Sequence, residues 1–105
     1  MRRKKRKELY PYENSSVFYS LYNNDKFRVV CGIANDMNYE TIGVRWLINK
    51  YGEKNYNGYP YRKYMRIPDI FAIDFLKSLL KNDKEHCDEV EINKVIKILE
   101  KQNLR

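Results

Sequence analysis

Cysteine is scarce in this chain. Its 105 residues include two, Cys31 and Cys87, and one pair does not make the framework of a disulfide-stapled domain. Cys31 sits in an apolar run and reads as a small core residue. An intracellular setting is expected: cytoplasm or nucleoid, or nucleus in a eukaryote. Histidine is scarcer still. His86 is the only one, and no Cys-x-x-Cys or spaced His pair completes a metal site around His86-Cys87. The four glycines make no phosphate-cradling loop. No apolar run approaches the ~20 residues of a membrane-spanning helix, and no apolar stretch follows the basic start as it would in a secretory leader.

Catalytic groups in a usable pattern are missing too. Asp36 and Glu40 lie in or next to a turn, where acids are ordinary. Ser15, Ser16 and Ser20 have no base near them in sequence. An enzyme is therefore not expected, nor is a cofactor.

The chain does have material for one domain with a modest core, at 43% hydrophobic residues. Ten tyrosines outnumber four phenylalanines and one tryptophan. The aromatics are thus biased toward surfaces where a ring packs and its hydroxyl finds a partner.

The net charge is +7, and it is unevenly placed. Arg2, Arg3, Lys4, Lys5, Arg6 and Lys7 put +6 on the first seven residues. Residues 8–25 carry −3, residues 26–66 carry +5, and residues 67–105 carry −1. Like charges repel and nothing apolar lies between them, so the first segment is expected to be a disordered arm, taken here as residues 1–14. Residues 15–105 are then a single domain. A positive field on the arm and the middle of the chain suits a polyanionic partner.

The middle alternates apolar residues with basic or aromatic ones, which is the strand period. Strands are expected over Ser16–Tyr22, Lys26–Ala34, Thr41–Ile48 and Tyr59–Ile67. Asn23-Asn24-Asp25 and Asn35-Asp36-Met37-Asn38 are the turn signals between them. Phe27, Val29, Cys31 and Ile33 share one face of the second strand. In the third, Ile42, Val44, Trp46 and Ile48 face the core and Arg45 points the other way. In the fourth, Met65 and Ile67 point inward and Arg62, Tyr64 and Arg66 outward. Pro60 marks that strand as an edge or an irregular start.

At Pro68-Asp69 the period changes. Asp69 is placed to cap a helix carrying Ala72, Ile73, Leu76, Leu79 and Leu80. Asp88, with Glu91 three residues on, signals a second helix with Ile92, Val95, Ile96 and Leu99 on its stripe. The fold expected is α+β: a four-stranded antiparallel sheet covered on one face by a C-terminal helix, plus a second C-terminal helix.

Strands followed by a helix, with a basic hairpin on the exposed face, resemble the positive-cofactor-four family of transcriptional coactivators, over about residues 26–82. Ile42-Gly43-Val44-Arg45-Trp46 is similar to that family's hydrophobic-x-hydrophobic-Arg-aromatic strand. Arg62-Lys63-Tyr64-Met65-Arg66-Ile67 is similar to its basic strand, and Pro68-Asp69 to its acidic helix start. Tyr64 stands where the family usually has Gly, and the helix from Asp88 is extra. The resemblance implies a homodimer that binds single-stranded or melted DNA with little sequence preference.

Two functions follow as expectations. The first is a single-stranded nucleic-acid binder acting in transcription or replication, with DNA favoured and RNA left open. Arg28, Arg45, Arg62, Lys63 and Arg66 would meet phosphate, Tyr59, Tyr61 or Tyr64 would stack a base, with Tyr64 placed on the basic face, and the arm would add affinity. The second is a protein–protein module, such as a virus-encoded inhibitor or small subunit of a polymerase or other nucleic-acid enzyme, anchored on Tyr and Arg.

Overall fold

The computed structural model describes residues 9–48, 51–53 and 63–103. Strands β1 (Phe18–Asn23), β2 (Phe27–Ile33), β3 (Glu40–Trp46) and β4 (Met65–Arg66) form one antiparallel sheet in the order β1-β2-β3-β4. Helix α1 (Asp69–Asn82), a short 3-10 turn (Lys84–His86) and helix α2 (Glu89–Asn103) follow. This is the α+β arrangement expected from the pattern. Among the described residues the ladder of the fourth strand holds only Met65 and Arg66; residues 59–62 of the expected strand lie outside the described residues.

Both helices lie on one face of the sheet, with α1 against β3, α2 against β1 and the two packed on each other. Leu21, Tyr22, Val29, Cys31 and Ile42 meet Ala72, Leu76, Leu79, Ile92, Val95, Ile96 and Leu99 in the main core. A sheet face and two helical stripes must be buried together, which fixes this layering. The register of β1 shifts between Ser20 and Tyr22. The extra residue lets Leu21 and Tyr22 both enter the main core, as a bulge allows and strict alternation would not.

The helix starts differ from each other. Asp88 accepts a hydrogen bond from the Glu91 backbone N–H at 3.2 Å, so it caps α2 as expected. Replacing Asp88 with Ala should cost about 1 kcal/mol of stability by losing that cap, measured by urea denaturation. A loss below the error of the fit would show that the Asp88 N–H···O bond to Leu21, at 2.8 Å, holds this end of the helix by itself. Asp69 does not cap α1. Pro68 occupies the N-cap position and no side chain caps that end. The Asp69 carboxylate instead takes the Tyr39 hydroxyl at 2.6 Å and lies 3.6 Å from Arg66.

Trp46 departs from its expected place. It lies at the end of β3, 51% exposed, with its ring 5.7 Å from that of Phe27.

Candidate nucleic-acid interface

The second face of the sheet was expected to be open, and it is not. Tyr12, Val30, Ala34 and Tyr64 form a second buried cluster there, with Leu9, Phe18 and Met37 packed around it. Glycines make it possible. Gly32 on β2 and Gly43 on β3 leave a trough with no side chains, and the Tyr12 ring fills it. A Cβ added at Gly43 would stand 2.6 Å from Tyr12 Cε2, and one at Gly32 would stand 2.9 Å from Cδ1. Glycine inside a strand marks such a close approach.

The Tyr12 hydroxyl and Thr41 Oγ1 are 3.0 Å apart, and Thr41 in turn donates to the Gly32 carbonyl at 3.3 Å. Burial pushes the Tyr12 phenol up to about 12, with the Thr41 hydrogen bond acting the other way. Tyr12, Phe18 and Tyr64 form a ring triad with centroids 5.9–6.2 Å apart. Segment 9–15 is stitched down by its backbone: Tyr64 N–H donates to Tyr10 O and Asn35 N–H to Pro11 O, each at 2.8 Å. Ser15 Oγ accepts from Ile33 N–H at 2.9 Å. Residues 9–14 therefore belong to the packed structure rather than to a disordered arm.

This corrects the role given to Tyr64, which is only 3% exposed. Its ring is spent on the triad and offers no face to a base. Its placement was missed because alternation identifies the face of a residue but says nothing of what covers that face.

The arginines of this face remain at its rim. Arg28 on β2 and Arg45 on β3 are direct cross-strand partners, and both are half-buried. Extending the pairing Gly43↔Arg66 and Val44↔Met65 by one step sets Tyr64 opposite Arg45. Arg28 Nε donates to Ser20 Oγ at 3.3 Å, and its guanidinium sits 5.8 Å from the Phe18 ring centroid. Burial raises the Tyr64 phenol pKa, while Arg28 and Arg45 beside it act to lower it. Arg66 is exposed and its ion pair with Asp69 is loose, at 3.6 Å with both side chains well solvated. Such a pair is worth little. Lys63 is exposed, with Nζ 5.2 Å from the Tyr10 ring centroid. Tyr10 is itself 43% exposed, and sequence reasoning did not single it out. Arg62 and the arm residues Arg2, Arg3, Lys4, Lys5, Arg6 and Lys7 lie outside the described residues.

A different polar cluster joins the 3-10 turn to β1. The Tyr22 hydroxyl donates to Asp83, and His86 Nδ1 lies 2.9 Å from both Asp83 carboxylate oxygens. The Tyr22 hydrogen bond, with that of His86, holds the Asp83 carboxyl below its usual range, and Asp83 raises the His86 pKa. The cluster pins the linker that leads into α2. Among the described residues no group of three or more His, Cys, Asp or Glu is placed to hold a metal ion. Among the same residues no helix is long and apolar enough to cross a membrane.

No family model, curated protein or solved structure matches the chain.

Proposed function

We propose that this protein binds single-stranded nucleic acid, DNA in preference to RNA, without catalysing a reaction on it. One observation carries the reading: Arg28 and Arg45 face each other directly across neighbouring strands. Two guanidinium groups set side by side concentrate positive charge at one place on the sheet, which suits a phosphate-bearing partner. Arg66 and Lys63 extend the positive rim, and Tyr10 beside Lys63 supplies a solvent-facing ring on which a base can stack. The basic arm adds affinity for any polyanion. The setting is intracellular, in keeping with the free thiols of Cys31 and Cys87.

The test is a titration with single-stranded and duplex oligonucleotides of matched length over a range of salt. The single strand should bind more tightly. Its log–log salt slope should fall by roughly 1.4 in the double variant Arg45→Ala, Arg66→Ala, at about 0.7 per lost phosphate contact. An unchanged slope in a folded double variant would sink the reading.

A second reading has an observation of its own. Met65 on β4 and Ile70 and Phe71 at the start of α1 are 66%, 79% and 58% exposed. They suit an apolar protein interface, either a homodimer or a contact with a nucleic-acid enzyme. That reading expects association that is insensitive to salt and lost when Phe71 is replaced by Asp.

A further inference from the structure

Trp46 is the chain's only tryptophan, and it stands 51% exposed at the end of β3. A single exposed apolar side chain needs no explanation; the surroundings of this one set it apart. Phe27 is its direct cross-strand partner, and the two rings meet edge to face, 5.7 Å apart at 65°. Phe27 in turn leans on Tyr22, with ring centroids 5.1 Å apart, and on the main core. Trp46 is therefore braced along one side by rings anchored in the core, while half of its surface meets solvent. Such bracing pre-orders the side chain, so little rotamer freedom is lost when a flat partner stacks on it.

Cations flank this ring on both sides. On the β2 side, the Lys26 carbonyl accepts from Leu47 N–H at 2.8 Å, which sets exposed Lys26 across from the residue after Trp46. Asp25, in the turn before Lys26, offsets that charge in part. On the other side, β4 runs antiparallel to β3, so the chain from Met65 back to exposed Lys63 heads toward the Trp46 end. Tyr10 lies against Lys63, with its ring centroid 5.2 Å from Nζ. The Arg28–Arg45 pair is one residue further into the sheet.

We propose that Trp46 is the main stacking platform for a base of the bound single strand, which crosses the end of the sheet there. This deepens the nucleic-acid function proposed above and rests on it. The strand runs from Tyr10 and Lys63 on the β4 side, over Trp46, to Lys26 on the β2 side, in the order of the strands themselves. Lysine meets phosphate on either side of the stacked base. Neighbouring strand residues face opposite ways, so Arg45 and Trp46 lie on opposite sides of the sheet. The path therefore passes over the end of the sheet rather than along either face. The face over Tyr64 is in any case closed by its ring triad. Every base has a flat face to stack, so such a platform binds without sequence preference.

Intrinsic fluorescence makes the test direct, since Trp46 alone emits as tryptophan. The full chain is titrated with an oligothymidylate and with an abasic strand of equal length. Binding is followed separately by the anisotropy of a labelled strand. The oligothymidylate should quench Trp46 strongly and shield it from acrylamide. The abasic strand should bind more weakly and leave the emission nearly unchanged. Trp46→Ala should weaken oligothymidylate binding by about fivefold to 150-fold, the range for one lost base stack. Its salt slope should not change, because no phosphate contact is lost.

Oligothymidylate binding with unchanged Trp46 emission would overturn the platform and leave the nucleic-acid function standing on other residues. Quenching with full affinity in folded Trp46→Ala would overturn it too, since the base would then lie near the ring without bearing on it. No binding of either strand by the parent would overturn the nucleic-acid function and the platform with it. The parent's emission decides between these outcomes even if Trp46→Ala does not fold.

Discussion

Tyr12→Ala should destabilise the protein by about 3–5 kcal/mol, the range for losing a large buried aromatic, read from urea denaturation midpoints. Tyr12 is 1% exposed although it lies in an irregular segment before the first strand. Its removal empties the trough above Gly32 and Gly43, and the backbones of two central strands cannot collapse to fill it. The edge and tilted contacts with Tyr64 and Phe18 go as well. Tyr12→Phe isolates the hydroxyl and should cost only about 0.5–1.5 kcal/mol, the net value of one hydrogen bond, since Thr41 keeps its bond to the Gly32 carbonyl. The converse variant is Gly43→Val, which drives a side chain into the ring edge and should destabilise by about 1–3 kcal/mol or more, as overpacking does. A Tyr12→Ala loss under about 1 kcal/mol, well below the range for such truncations, would show that segment 9–15 rests on the sheet without stabilising it.

Leu76→Ala should cost about 2–5 kcal/mol. Leu76 is fully buried at the centre of α1, in the cluster where Val29, Cys31 and Ile42 of the sheet meet Ile92 and Val95 of α2. Truncation there opens a cavity shared by three layers of side chains, none of which can move without losing its own contacts. At roughly 4–8 °C per kcal/mol for a domain of this size, the melting temperature should drop by at least about 8 °C. A melt with no shift would place the stripe of α1 away from the core. The two variants probe opposite faces more than one side chain apart, so their costs should nearly add. A strong departure from additivity would mean that the sheet transmits strain between its two cores.

Periodicity made the main core legible. The 3.6-residue stripe from Ala72 to Leu80 and the alternation of Phe27, Val29 and Cys31 each name residues that enter it, because regular elements present their side chains at set intervals. The Asp88 cap was legible for a similar reason: its signal is local, one side chain and a backbone N–H three residues on. Asp69 carries the same signal, yet its carboxylate is drawn off by Tyr39, 30 residues away in sequence. A local rule is blind to that competitor.

The candidate site divides along the same line. Alternation alone placed Arg28, Arg45, Tyr64 and Arg66 on a common sheet face, and the pairing of β2, β3 and β4 agrees. Whether that face is open was decided only in three dimensions. Gly32 and Gly43 read as weak points in their strands until the fold sets them side by side and Tyr12 arrives from outside both strands. Covering the face took Tyr64 out of reach of a base, left Arg28 and Arg45 at the rim, and buried a phenol hydroxyl beside two cations. The sequence by itself therefore determined which residues share each face, since that depends on backbone period. The tertiary structure decided which faces are covered and which charges meet, since that depends on contacts between segments far apart in the chain.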